Sequence, residues 1–402
     1  RGADLSGANL RRANLMFSDF SNANLHGAIL VESRLVRADL TKADLGGAKM
    51  SDADLTKANL SRAILKKTDL SGAILTEADL MHCDARSANF KKANLSMTNL
   101  SDADFSHADL SQTNLKTANL HNADFSSALL TGTDLSGARL STVRLRKAQM
   151  SGACLYGADL FEADLVRANL TEADLTYVKA VEADMAGAIF YHANLHGADL
   201  RKSNMKYVDL RKANMTKVDL SGANLTSSNL GEANLTSAKM NKTTLRQANL
   251  ARANLTRALM QEADISSGAT LMQANLTGCV LKHANLKNAD LSKANLTGAD
   301  LREANLSKAK LNHAYLNEAD LTKADLTNAD LSNADLKGAI LTGVNLTTTN
   351  SLGLENIRFS VLRDVKMTRF DLRNANLINA NLAYADLSNV DLANADLTNA
   401  DL

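Results

Sequence analysis

The side chains that could carry chemistry are few and form no recognised catalytic set. His192 and His196 lie four residues apart, the spacing of two zinc ligands on one face of a helix. The sequence contains no phosphate-binding loop, no GxSxG nucleophile motif and no HExxH zinc motif. Its many carboxylates recur at regular intervals instead of converging on one place. These features favour a protein that is not an enzyme and that holds neither a metal nor a cofactor.

A five-residue repeat determines which elements position these side chains. Between Ala319 and Leu341 a leucine stands at every fifth position, with an alanine two residues before it. Five residues advance an α-helix by about 500°, so leucines at this spacing would spiral around a helix. In a continuous strand, residues five apart point to opposite faces. The chain must therefore turn between leucines, so that each short extended piece points its leucine at a common axis.

The number of sides to each coil does not follow from the spacing alone, because either three or four pieces could close it. The repeat A-[D/N]-L-x-x resembles the pentapeptide-repeat family, and the resemblance spans essentially the whole chain. It implies an all-β fold, a right-handed quadrilateral parallel β-helix of about 20 coils with four pentapeptides each. Alanine and leucine would face inward, and the Asp or Asn between them outward.

This repeat predicts a single domain over residues 1–402. Two one-residue insertions, near 266–271 and 347–352, shift the phase of the leucines. The coil at 347–371 departs most from the motif, because Glu355 and Phe370 occupy inward alanine positions. A buried carboxylate is costly and a phenyl ring there is crowded, so we expect a distorted coil.

The repeat also predicts structural, non-catalytic roles for the histidines and cysteines. Because the repeat is not helical, His192 and His196 should lie on neighbouring corners and bind no metal. Cys83 and Cys279 occupy inward alanine positions, about 48 Å apart in the four-sided coil, far beyond disulfide reach. Cys154 should point outward. Unpaired cysteines, with no signal peptide and no apolar run of membrane-spanning length, predict a cytoplasmic protein that does not enter the membrane.

Bulky core residues are expected to pack as a ladder. In the four-sided coil Phe105 and Phe125 lie one above the other on the face that also holds Ala85. We interpret them as core packing and not as a cofactor pocket.

The charge balance bears on one function that the resemblance implies. Some pentapeptide-repeat proteins protect DNA gyrase from quinolones by imitating duplex DNA with an acidic rod. Duplex DNA carries a charge about every 1.7 Å along its axis. This chain has 44 acidic and 45 basic residues, which disfavours mimicry along the whole chain and makes direct nucleic-acid binding improbable. A local alternative remains at an acidic C-terminal end that lacks Lys and Arg: Asp386, Asp391, Asp396 and Asp401.

Basic residues gather in one segment that should ring a single coil. This basic collar would be either a solvated surface or a site for an acidic protein surface or a nucleic acid. Its members are Arg201, Lys202, Lys206, Arg211, Lys212 and Lys217.

Just before the collar, apolar side chains occupy outward positions that elsewhere hold mostly Ser, Thr, Gly or Lys. Exposed aromatic residues beside a basic ring are typical of a protein-binding patch, although scattered exposure explains them equally well. This apolar patch consists of Tyr156, Phe161, Val166, Tyr177, Val181 and Tyr191.

Together these features predict a rigid, charge-balanced scaffold or spacer that binds another protein through its outer faces. The chain begins and ends in register without the caps that solenoids need. We therefore expect either a segment of a longer protein, or ends that meet partners or copies of this chain.

Overall fold

Short parallel bridges replace longer strands throughout the protein. The computed structural model describes residues 1–351, 356–358, 360–368 and 370–402. These residues form two compact units, Arg1–Asn204 and Met205–Leu402. The described residues contain no helix, and their strand pairing consists of isolated parallel bridges. In the first unit Asp4 pairs with Asn24, and in the second Asp209 pairs with Asn229. Partners twenty residues apart define a coil of four pentapeptides.

Backbone hydrogen bonds connect each coil to the next and turn the chain at each corner. We name the five positions of a repeat the inner, middle, centre, first turn and second turn positions, with alanine, Asp or Asn, and leucine typical of the first three. The centre residue Leu5 donates its N–H to the Asn24 carbonyl of the next coil at 2.7 Å, and Asn24 donates back to Ala3 at 2.9 Å. The inner residue Ala8 donates to Leu5 at 3.0 Å and closes a β-turn.

The middle residue completes this network with its side chain. The N–H of the first turn residue Ser6 donates to Oδ1 of Asp4 at 3.0 Å, an Asx-turn. Thr256 donates in the same way to Asn254 at 3.1 Å. Asp and Asn are therefore favoured at the middle position because their short side chains satisfy a backbone donor that no carbonyl reaches.

The second turn residue adopts a left-handed conformation at nearly every described corner. Arg12 has φ 57° and Phe17 has φ 60°, while Gly7 has φ 65°. A positive φ at the second of two turn residues is the geometry of a type II turn, which glycine adopts without steric cost. Bulky side chains at this position therefore remain at the corners at some energetic cost.

The inner and centre side chains form the core of each unit. Leucines at the centre position, such as Leu45 in the first unit and Leu245 in the second, are fully buried. The rings of Phe105 and Phe125 stack with centroids 5.0 Å apart and planes 9° apart. This confirms the predicted phenylalanine ladder, which Phe90 extends at a tilted 5.3 Å contact with Phe105.

Threonine hydroxyls at the inner position are satisfied by the backbone of the preceding coil. Thr133 donates from its hydroxyl to the Leu110 carbonyl at 2.8 Å, and Thr243 donates to Leu220 at 2.9 Å. Each is therefore buried without leaving an unpaired hydroxyl. The inner column thus accepts threonine in place of alanine.

The first phase shift lies within residues 264–270 of the second unit. Thr244 pairs with Asp264, twenty residues later, whereas Asn249 pairs with Thr270, twenty-one residues later. The extra residue lengthens one turn, in which Gly268 has φ 86°. Glycine accommodates this value because it has no Cβ.

The second phase shift lies further along the chain than the sequence analysis placed it. Asp330 pairs with Asn350, twenty residues later, and Asp335 pairs with Asn356, twenty-one residues later. Ser351 occupies a centre position with 5% exposure, and its Oγ lies 3.3 Å from both the N and the O of Asp371. A small polar residue at a centre position explains why the pattern of leucines misplaced the shift.

The unusual inner residues near this shift have different outcomes. Phe370 is buried, with 3% exposure, so this inner position admits a phenyl ring. Glu355 lies outside the described residues. On the C-terminal side Val361 still pairs with Asn381 and Lys366 with Asp386, which preserves the twenty-residue coil.

Candidate interaction surfaces

Because bridge partners are one coil apart, equivalent corners stack into columns along each unit. The corner that holds Tyr156 recurs one coil later at residues 176 and 177, and again at 196 and 197. Each coil has four such corners, and a middle position lies between each pair of corners. A surface is therefore specified by its columns and by the coils that it spans.

Three aromatic side chains meet in one corner column of the first unit. The Tyr156 and Tyr177 rings make an edge contact at 6.0 Å, and Tyr177 makes another with His196 at 5.5 Å. Both tyrosines remain about half exposed, 50% for Tyr156 and 51% for Tyr177. Tyr177 has φ 55°, and a Cβ on Gly197 would lie 2.5 Å from Cε1 of its ring. The glycine leaves room for the tyrosine.

Of the other residues in the apolar patch, only two border the same face. Phe161 and Val181 share the next corner column, since Glu162 donates its N–H to the Val181 carbonyl. Lys179 lies between that corner and Tyr177. Tyr156, Tyr177, Phe161 and Val181 thus flank a single face of the coil.

Val166 and Tyr191 lie on the two remaining corners. Tyr191 packs against His192 at 4.4 Å between ring centroids. Six outward apolar residues therefore surround the unit, and only four of them border one face. Sequence spacing alone could not separate these groups, because all six occupy turn positions.

The basic collar is partly neutralised by carboxylates. Arg201 donates to both oxygens of Asp199 at 2.8 and 2.7 Å, and Arg211 donates to Asp209 at 2.8 and 2.6 Å. Each arginine occupies the first turn position, beside the middle residue of its own repeat. These bonds lower the pKa of both carboxyls. Charge-assisted bidentate pairs of this kind leave less free positive charge than the sequence indicated.

The remaining members of the collar differ. In the first unit Lys202 donates to Glu182 at 3.0 Å. In the second unit no carboxylate of the described residues lies within 4.0 Å of Lys206, Lys212 or Lys217. These three lysines carry the available charge of the collar.

The acidic C-terminal end surrounds the coil instead of following its axis. Asp386, Asp391, Asp396 and Asp401 are four successive middle residues, so each lies on a different side. Hydrogen bonds from Ser388 and Thr398 lower the pKa of Asp386 and Asp396. Asp391 Oδ2 lies 3.6 Å from Arg373 Nε. An encircling arrangement differs from the lengthwise charges of duplex DNA.

The reactive side chains do not assemble a site. His192 and His196 lie on different corners and contact different tyrosines. Burial raises the pKa of Cys279 to about 12 and that of Cys83 as well, so neither thiol is a ready nucleophile. Cys154 is half-buried with its Sγ 3.2 Å from Ser136 Oγ, and all three cysteines are free. Within the described ranges, no group of His, Cys, Asp or Glu could hold a metal ion.

Two exposed tyrosines at second turn positions are additional to the residues singled out from the sequence, and Tyr315, 55% exposed at a middle position, is a third. Tyr207 is 67% exposed and Tyr384 is 77% exposed, and both adopt a positive φ at a second turn position. The Arg363 guanidinium lies 5.3 Å from the centroid of the Tyr384 ring. The sequence could have identified Tyr207 and Tyr384, because each is an aromatic residue two positions after a centre residue.

Together these features define a class of protein, the parallel β-helical solenoid, with its apolar core inside the coils and its polar side chains outside. The family model described as Pentapeptide repeats matches overlapping segments that cover residues 1–266, 269–343 and 357–402. The chain belongs to this family, and its fold is the right-handed quadrilateral β-helix. The unmatched residues coincide with the two phase shifts.

Solved structures of the family resemble the chain to different extents. HetL of the cyanobacterium Nostoc sp. strain PCC 7120, involved in heterocyst differentiation regulation, is 35% identical over 62% of this chain and 89% of its own, with a TM-score of 0.20. A pentapeptide repeat protein of the Arabidopsis thaliana thylakoid lumen is 33% identical over 28% and 66%, with a TM-score of 0.18. QnrB1, a plasmid-mediated fluoroquinolone resistance protein, is 19% identical over 50% and 84%, with a TM-score of 0.17. Comparison with curated proteins found no match.

In the part of the chain that the structure describes, no helix is long and apolar enough to cross a membrane.

Proposed function

We propose that the protein is a non-enzymatic scaffold or spacer that binds another protein through side chains at the corners of its coils. The observation that carries this proposal is the use of the backbone donors within the repeat. Inter-coil bonds, the β-turn and the Asx-turn engage all five N–H groups of a standard repeat, as in residues 24–28 with their neighbours. A partner therefore meets side chains, not an open sheet edge.

The face bordered by Tyr156, Tyr177, Phe161 and Val181 is the best candidate for that contact. Tyrosine is one of the residue types that supply most of the binding energy in many protein interfaces. The Tyr177 ring lies between Tyr156 and His196 and remains half exposed, so a partner can reach it. We further propose a single solenoid domain over residues 1–402 and a cytoplasmic location, where a reducing environment keeps three free cysteines reduced.

A photo-crosslinking residue at position 161 tests this proposal. We expect it to capture a discrete partner in cells, and Tyr177→Gly to abolish that adduct without loss of stability, because glycine relieves the positive φ. A crosslinker at Lys91, an exposed first turn position in the same unit, is the matched control. Equal capture at both positions, or capture that survives Tyr177→Gly, would contradict the proposal.

One observation supports the gyrase-directed alternative through the acidic C-terminal end. Among the described residues, Asp386, Asp396 and Asp401 have no basic side chain within 4.0 Å, unlike Asp391. Gyrase supercoiling assays test it with the variant that changes all four to Asn. Salt-sensitive inhibition that this variant loses would favour the alternative over the scaffold.

A further inference from the structure

One corner column of the second unit carries four cations, the first three of them at a regular spacing of two coils. We call this set the basic row: Lys206, Arg246, Lys287 and Lys308. The column is continuous, because Tyr207 donates its N–H to the Thr226 carbonyl and Ser227 to that of Arg246. Further along it Ser267 donates to Lys287, and Asn288 donates to Ser307. The four cations therefore lie along one edge of the unit.

The spacing of the cations follows from the coil. Lys206, Arg246 and Lys287 are first turn residues, separated by two coils each. At about 4.8 Å per coil, successive cations are about 10 Å apart. Lys308 lies one coil beyond Lys287, at the second turn position, so the row extends over about 24 Å.

Positive charge is in excess along this edge. The turn positions of the column from residue 206 to 308 include no acidic residue. Arg246 is the only one of the four within 4.0 Å of a described carboxylate, with Nε 3.8 Å from Oδ2 of Asp264. On the neighbouring face Asp290 is engaged by Lys310 at 3.5 Å. The row therefore attracts anions.

A polar groove lies against the first half of the row. It has a volume of about 370 Å³, and Lys206, Arg246 and Tyr207 line it together with the amides and hydroxyls of Asn224, Gln247 and Thr226. Tyr207 is 67% exposed and presents its ring to the groove beside the two cations.

The spacing of the cations matches that of side chains on one face of a polyproline II segment. A polyproline II segment has three residues per turn and a rise of about 3.1 Å, which places every third side chain on one face about 9.3 Å apart. A β-strand places same-face side chains about 6.6 or 13 Å apart, and neither matches two coils. Single-stranded nucleic acid uses successive aromatic platforms, whereas this column has one aromatic residue, Tyr207.

We propose that the basic row binds an acidic polypeptide segment in the polyproline II conformation, with a carboxylate at every third residue. The carboxylates pair with Lys206, Arg246 and Lys287, and the Tyr207 ring packs against a proline or aliphatic residue between them. This inference relies on the scaffold function for its class of partner but uses a surface separate from the Tyr156 face.

Fluorescence anisotropy of the full chain with labelled peptides tests the proposal. The probe is a peptide of about four Glu-Pro-Ala repeats, and its control has the same composition with the glutamates at irregular spacing. We expect the regular peptide to bind more tightly and binding to weaken as salt is raised. The triple variant Lys206→Gln, Arg246→Gln and Lys287→Gln should weaken binding about tenfold, since each exposed pair contributes modestly.

A matched variant separates the row from net charge. The second triple variant removes the same charge elsewhere in the second unit and should change binding less than about twofold. It carries Lys212→Gln, Lys217→Gln and Lys323→Gln. Equal loss in both variants, equal affinity for the two peptides, or tighter binding of an oligothymidylate would overturn the proposal. If the regular peptide binds to the basic row but the crosslinker at position 161 captures no partner, only the role of the Tyr156 face is rejected.

Discussion

The Asx-turn at the middle position makes a stability prediction that the structure quantifies. Oδ1 of Asn254 accepts the Thr256 N–H at 3.1 Å and the Thr256 hydroxyl at 2.7 Å. Each such bond contributes about 1 kcal/mol net. We therefore expect Asn254→Ala to lower the free energy of unfolding by about 1–2 kcal/mol. Urea unfolding measures the loss, and hydrogen exchange of the Thr256 amide should accelerate about 5- to 30-fold.

Lys239 provides the matched control for Asn254. It occupies the same middle position of a different repeat, but its side chain cannot accept a hydrogen bond from the turn. Lys239→Ala should therefore change the free energy of unfolding by less than about 0.5 kcal/mol. Equal destabilisation by the two variants would refute the role given to the middle residue, since both remove an outward-facing side chain but only one removes a cap.

Three further outcomes follow from the turns, the core and the ion pairs. Gly157→Ala should lower the free energy of unfolding by about 1 kcal/mol, measured with urea, because Gly157 has φ 63°. The cost is one of backbone conformation, since a Cβ at this position would meet no atom within 4 Å. Stabilisation by this variant would contradict the prediction. Phe105→Ala should lower the free energy of unfolding by about 3–5 kcal/mol in the same assay. Phe17 is exposed, so Phe17→Ala should lower it by less than about 0.5 kcal/mol. Similar losses in the two variants would contradict the packing role of the phenylalanine ladder. Arg373 lowers the pKa of Asp371 to about 2, so this pair stabilises the fold above the ordinary aspartate pKa of about 4 and the contribution disappears as the pH falls towards 2. The wild type should have a higher free energy of unfolding than Arg373→Gln, by an amount that is constant between about pH 5 and 7 and vanishes near pH 2. A difference that is lost above pH 5 would be inconsistent with this pair.

The core was predictable because its pattern is strictly periodic. Leucine at the centre and alanine at the inner position specify both the inward direction and the turn between repeats, so the stacking of Phe105 on Phe125 followed from counting. The second phase shift was misplaced because Ser351 fills a centre position, and hydrophobic periodicity cannot identify a buried serine.

The surface was less predictable because its chemistry depends on bonds between neighbouring positions. Arg201 and Arg211 counted as free charge in the sequence, yet each folds onto the aspartate two residues before it. The same sequence rule, Arg two residues after Asp, holds for Arg302 and Arg373. Lengthwise columns such as the basic row emerge only when residues twenty apart are aligned, including the extra residue after Asp264.

Distances between spin labels in the first unit test the twenty-residue coil most directly. Arg62, His82 and Asp102 are second turn residues of one corner column that continues to Glu162. The three native cysteines are replaced, and a spin label at 162 is paired in turn with a label at 62, 82 or 102. Electron paramagnetic resonance should then give label separations near 24, 19 and 14 Å, so the distance falls by about 5 Å for each twenty residues. Distances that do not shorten in equal steps of about one strand spacing would contradict the coil and every surface assigned to its corners.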